Sequence, residues 1–444
     1  MAQDPAAPAA SEPVVAGQPA APATTPTAPA GTPAGATAAP ADDGRARIAR
    51  ILVTLAIIGV ATGIYLFTAS RERQDFDYFV RLADAFLHGR IYLTEAPSWL
   101  NELIPKDGVW YVAYPPMPAI LLVPFVWAFG PEFPQQVASC LFAGIAVWLA
   151  WLVFGRFELS IRVRLGLTAV FGFGTALWYV ADVGSVWYLS HVVAVMFSMA
   201  AILLALDRDR RRPFVVGLLL GGAAMARLPV GLTAPFFIAM LVAVDRPLRL
   251  PAVGERSAAV LRVVLFALGL AIPAAVYALY DVARWGGVMD QGYVLIPGVL
   301  EDPIYAKHGI LALEYIPRNL FAIFLRSWNY VDDPPFLQPS WWGLSVFLTT
   351  PLFLWLFRAR WRDPRVAWAL IATALALVPI VSHGNVGITQ FGYRFSLDVQ
   401  PLLFVVLAVG FAQGMSRWAW AASVASIAIC AYAIWAIGIG FVAF

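Results

Sequence analysis

Two aspartates, Asp75 and Asp77, open the run DFDYFVRLADAFLHGRIYL at residues 75–93, between two strongly apolar stretches. A carboxylate so placed can take the proton of an attacking hydroxyl, the work of a general base. Helical phase separates the pair. At about 100° per residue from Asp75, Phe76, Phe79, Val80, Leu82, Ala83, Phe86 and Leu87 gather on one side. Asp77, Arg81, Asp84 and His88 gather on the other. The pattern predicts an amphipathic helix lying along a membrane and stopping at Gly89. Asp75 begins it on the apolar side and Asp77 on the wet side. An acid facing apolar protein is costly, which favours a working role for Asp75. Charges that favour the helix dipole are the plainer account of both.

Other reactive side chains are sparse. His88, His191, His308 and His383 match no metal-ligand spacing, and Cys140 and Cys430 fall inside apolar stretches. No bound metal or other cofactor is expected. A nucleotide donor is disfavoured, because no glycine-rich phosphate loop is present. Near residue 394 the stretch GITQFGYRFSLDVQP gathers Tyr393, Arg394 and Asp398. Arginine's planar fork there suits a phosphate, and an Arg394–Asp398 structural pair is the competing reading.

These groups need a scaffold, and composition says which kind. Of 444 residues, 61% are hydrophobic and 13% charged, with mean hydropathy +0.74, too apolar for a soluble domain. Residues 1–44 are Ala, Pro, Thr and Gly, expected to form a disordered cytoplasmic tail without signal-peptide character; residues 45–444 form the membrane domain. Apolar runs lie at 51–69, 135–154, 165–182, 189–206, 213–226, 229–244, 259–280, 343–357, 366–382, 400–413 and 418–440. The expectation is an all-α polytopic protein of about eleven spans. Arginines precede the first run and follow the second, fourth, sixth, eighth and tenth, so that nineteen of the 30 basic residues share one side. By the positive-inside rule that side is cytoplasmic, as is the N-terminus.

The alternation holds only if Met117 to Gly130 (MPAILLVPFVWAFG) is not a span. It is short, holds Pro118 and Pro124, and follows Tyr114-Pro115-Pro116, so it reads as an interfacial or re-entrant helix on the outer face. Residues 70–134 then form one outer loop with amphipathic interfacial helices, and 281–342 a second, aromatic-rich one containing Lys307. Aromatics mixed with hydrogen-bonding groups suit sugar stacking and a membrane-interface belt equally.

Asp75, an aromatic four residues on, Leu82-Ala83, Gly89 and then Tyr-Pro-Pro opening a short apolar helix resemble the first outer loop of the GT-C superfamily of membrane glycosyltransferases. The protein mannosyltransferase, aminoarabinose transferase and polyprenyl-phosphate-mannose-dependent types are the most similar. The resemblance implies an Asp general base at Asp75, with Asp77 as runner-up, and a second acid in the next outer loop at Asp182. It implies a polyprenyl-phosphate sugar donor, an extracytoplasmic lipid, glycan or protein acceptor, and inversion at the anomeric carbon. The leaving phosphate then needs cations. Arg394, Arg227, His191 and Lys307 are the candidates, with Tyr114, Asp182, Tyr393 and Asp398 as substrate contacts. For His191 and Arg227 a helix-end structural role competes. Arginine over lysine, with two lysines, fits a high-GC bacterium and its cytoplasmic membrane.

A lipid-linked-sugar flippase or secondary transporter shares this hydropathy, but should carry mid-membrane charges and inverted repeats, which the sequence lacks. A noncatalytic scaffold gives no reason for Asp75 on an apolar face, and nucleic acid is not an expected partner. The topology is testable. Single cysteines introduced along residues 117–130 are expected to react with impermeant maleimide only from the outside; cytoplasmic labelling of the far end would make the segment a span.

Overall fold

The computed structural model describes residues 42–69, 76–242 and 253–443. The expected N-terminal tail lies outside them apart from its last three residues, and so does Asp75. The chain forms two compact units, residues 1–49 and 50–444. Of the first, the described part is the opening of helix α1 (Asp42–Thr68).

The second unit is helical, with two short hairpins. After α1 come α2 (Tyr78–Leu87), a hairpin of β1 (Leu103–Lys106) and β2 (Val109–Val112), and α3 (Met117–Phe129). The hairpin pairs Leu103 with Val112 and Lys106 with Val109. It turns at Asp107 and Gly108, both at positive φ, the backbone that an Asp-Gly dipeptide supplies in a two-residue turn. Next are α4 (Gln135–Phe154), α5 (Ile161–Phe173), α6 (Leu177–Val183), α7 (Val186–Ala205), α8 (Pro213–Ala224), α9 (Ala234–Val242) and α10 (Arg256–Trp285). Then follow α11 (Ile316–Phe324), β3 (Asn329–Tyr330), β4 (Leu337–Gln338), α12 (Val346–Thr349), α13 (Pro364–Val381), α14 (Gln400–Gly410) and α15 (Arg417–Gly438).

Among the described residues six helices are long and apolar enough to cross a membrane: α1, α4, α7, α10, α13 and α15 in whole or part. The pair α5 and α6, bent by 46°, makes a seventh if counted as one. Four shorter apolar helices, Met117–Phe129, Pro213–Ala224, Leu228–Val242 and Gln400–Gly410, accompany them. The protein is an all-α, multi-pass membrane protein. The run 343–357, expected as a span, is instead the four-residue α12 and a 3-10 turn over Pro351–Arg358. Pro351 has no N–H to give and pushes Thr350 out of the helical region, to φ −130° and ψ 77°.

Helix α2 buries Phe79, Val80, Leu82 and Ala83 of the face that its phase anticipates against α3 and its surroundings, and Tyr78 and Ala85 besides, while Leu87 of that face is exposed. Helix α3 is thirteen residues long with Pro124 inside. Helices α8 and α10 approach each other closely. A Cβ at Gly217 would collide with the Phe266 carbonyl, and one at Gly269 with the Phe214 carbonyl. Small residues let two apolar backbones meet where lipid tails remove the hydrophobic drive between helices. Gly217→Val and Gly269→Val are each expected to destabilise the protein by about 1–3 kcal/mol through overpacking. Thermal unfolding in detergent checks this, and an unchanged midpoint for both would contradict the close crossing.

Candidate functional site

The loops at one end of the bundle enclose a cavity of about 1050 Å³. Its walls come from the segment before β1, from Tyr114 and Pro115 ahead of α3, from the start of α7, and from the turns at 227–232, 290–311 and 383–395. It is mostly apolar, and its charged side chains are the carboxyls of Glu102 and Asp290 and the guanidiniums of Arg227 and Arg394.

Glu102 lines the cavity just ahead of β1. Trp187 of α7 donates its indole N–H to Glu102 Oε2 at 3.0 Å and also to the Tyr114 hydroxyl. The Phe76 ring, next in sequence after Asp75, lies 4.7 Å from the Trp187 ring. The Glu102 N–H donates to the Tyr78 hydroxyl at 2.8 Å, which fixes the segment to the start of α2. Burial raises the Glu102 carboxyl to about 7, against the opposing pull of the Trp187 hydrogen bond and the Arg394 charge. A carboxyl that titrates near neutrality can both accept and release a proton at working pH.

Arg394 and Arg227 line the same cavity. Arg394, 6% exposed, donates from Nη1 to the Ile388 carbonyl at 2.7 Å, while its Nε lies buried without a partner among the described residues. Its guanidinium sits 5.1 Å from the Tyr188 ring and 5.1 Å from the Phe395 ring. Arg227 donates from Nη2 to Asp398 Oδ2 at 3.0 Å and from Nε at 3.2 Å to the same oxygen. Asp398 is fully buried and also binds His191 Nδ1 at 2.8 Å through Oδ1. Burial alone would raise the Asp398 carboxyl; Arg227 and His191 outweigh it and hold it below the usual range. His383 completes this wall. Burial lowers its ring to about 4, so it is neutral at pH 7, with Nδ1 accepting the Asn385 N–H at 3.0 Å.

The strap over 384–393 is held in an unusual backbone. Thr389, a β-branched residue lining the cavity, has φ +59°, and its carbonyl accepts the hydroxyls of Tyr179 and Tyr188. Such conformations persist only where surroundings impose them.

Of the residues singled out from sequence, Tyr114, Arg227 and Arg394 line this cavity. His191 and Asp398 lie directly behind the Arg227 wall. The others are elsewhere. Asp77 is held by Arg81 at 3.0 Å and by the Trp99 indole at 3.2 Å. Asp182 accepts from Thr68 at 2.7 Å, and Tyr393 donates to Asn319 at 3.3 Å. Lys307 is exposed, and Asp75 lies outside the described residues. Asp398 pairs with Arg227 rather than with Arg394. Sequence reading passed over Glu102, Trp187 and Asp290, which all line the cavity. Among the described residues, no three His, Cys, Asp or Glu side chains group closely enough to hold a metal ion.

No family model and no curated protein sequence matches the chain. Two solved structures match it. ArnT from Cupriavidus metallidurans bound to undecaprenyl phosphate has TM-score 0.50 and 13% identity, over 86% of this chain and 64% of that one. ArnT from the same organism in the apo state has TM-score 0.51 and 15% identity, over 87% and 64%. The chain thus spans 64% of the length of the structures it matches, and what it shares with them is the fold.

Arg227→Met leaves Asp398 buried beside a neutral imidazole. The expected destabilisation is about 3 kcal/mol, the scale of a buried pair that loses one partner. It is read as a lower thermal midpoint in detergent, and a midpoint equal to that of the wild type would mean that the pair does not hold the site.

Proposed function

We propose that the chain transfers a hexosyl or pentosyl group from a polyprenyl-phosphate carrier to a hydroxyl acceptor at the outer face of a bacterial cytoplasmic membrane. The observation that carries this is one apolar cavity lined by a near-neutral carboxyl, Glu102, and by two guanidiniums, Arg227 and Arg394. The ArnT-like fold supports the carrier, since one of those structures was solved with undecaprenyl phosphate bound.

In the proposed reaction the acceptor oxygen attacks the anomeric carbon as the bond from that carbon to the phosphate oxygen breaks. The phosphate leaves with the bonding electrons, and the acceptor's proton passes to a carboxylate. A single displacement inverts the anomeric centre. Arg394, with its unpartnered Nε, and Arg227 meet the charge that grows on the leaving phosphate. Tyr114, sharing the Trp187 indole with Glu102, is placed to contact the sugar. Two carboxylates are assigned to the proton: Asp75 as base, from the sequence resemblance, and Glu102, which lines the cavity, as a relay.

Purified protein is to be assayed for transfer from radiolabelled polyprenyl-phosphate sugars, comparing wild type with Asp75→Asn, Asp77→Asn and Glu102→Gln. Loss of a general base predicts a fall of about 10²–10⁴-fold for Asp75→Asn, with Asp77→Asn close to wild type. Wild-type activity should rise as pH increases through about 7, where Glu102 ionises, and Glu102→Gln should flatten that limb. Full activity in folded Asp75→Asn would remove that residue from the role; no turnover of any lipid-linked sugar by wild type would sink the enzyme class.

A further inference from the structure

A second, smaller cavity of about 290 Å³ lies beside the first, with Asn385 in the wall of both. Its lining includes two arginines, Arg318 and Arg326, and no carboxylate. Arg318 stands on α11, where it donates to the Gly384 carbonyl and lies 5.1 Å from the Tyr315 ring. Arg326 follows α11, with its guanidinium 5.8 Å from the Phe321 ring and its Nε buried without a partner among the described residues. Neither forms an ion pair among the described residues. Burial, and then the nearby Arg318 charge, lower the Arg326 pKa. A guanidinium stays charged in proteins even so. Two fixed cations thus share a cavity that offers them no counterion.

The helix that carries them says what kind of anion approaches. Leu320, Phe321, Phe324 and Leu325 of α11 and its end are exposed, so an apolar face adjoins the guanidiniums. A basic cleft beside exposed apolar side chains matches a charged headgroup with its chains alongside. We propose that Arg318 and Arg326 form a second anion site that binds the phosphate of a membrane amphiphile and sets its polar group against the main cavity through the shared Asn385 wall. Its bearing on the reaction rests on the glycosyl-transfer reading; its existence does not.

The test uses the full chain in an uncharged detergent, with dioctanoyl phosphatidate as probe. Wild type should bind two equivalents, one at Arg227 and Arg394 and one here, and Arg318→Gln/Arg326→Gln should bind one. In wild type, needing no variant, phosphatidate should slow phenylglyoxal modification of Arg326 about tenfold, as expected of a well-occupied site. Dioctanoylglycerol should neither bind with that stoichiometry nor protect. Equal protection by dioctanoylglycerol would overturn the anion site, and so would a double variant that still binds two equivalents. Inorganic phosphate protecting as well as phosphatidate at equal concentration would overturn the amphiphile. Protection without any sugar transfer would leave this site standing and remove the enzyme reading; transfer without protection would do the reverse.

Discussion

A carboxylate with no exposed surface survives in a protein only if opposite charge and hydrogen bonds replace the water it has lost. Asp398 meets that condition through Arg227 and His191, which arrive from the turn after α8 and from the second turn of α7. Three separated stretches therefore converge on one point, and none can shift without leaving a buried charge exposed to apolar surroundings. The convergence also sets the wall of the main cavity, since Arg227 lines it and Phe395 lies 5.2 Å beneath its guanidinium. Elsewhere in the lining is a smaller counterpart. A single indole N–H, on Trp187, serves both Glu102 and Tyr114, and the Tyr78 hydroxyl holds the backbone at Glu102. Rigid helices thus supply the anchor in both places, and the loops carry the reactive groups.

What could be read in the sequence was mostly local. The buried face of α2 follows from helical phase, and the short helix Met117–Phe129 from its length and prolines. The Asp107-Gly108 dipeptide between Lys106 and Val109 is itself a hairpin signal. The arginines at 227 and 394 stood out because cations are scarce outside the arginine-rich loops. Glu102 carried no such mark: what makes it notable is a hydrogen bond from Trp187, 85 residues away in sequence. The pairing of Asp398 was equally out of reach. Arg394 is four residues from it and Arg227 is 171, yet the distant arginine is its partner. The break at Thr350-Pro351 was visible as a proline but was outweighed by the apolarity of the run around it.

On the glycosyl-transfer proposal, the pairing of Asp398 bears on how the cavity would let go of its product. Arg227 and Arg394 bring two positive formal charges and Asp398 one negative, a balance of +1 for these three with the imidazole counted as neutral. A sugar joined to a polyprenyl phosphate is a diester with one negative charge. The carrier left after transfer is a monoester, which approaches two negative charges near neutral pH. Coulomb attraction to a positive wall grows with that charge, so the spent carrier is the species at risk of being held too tightly. A single buried aspartate, by subtracting one unit from the guanidinium pair, keeps that hold below the grip of an uncompensated +2 and so eases discharge.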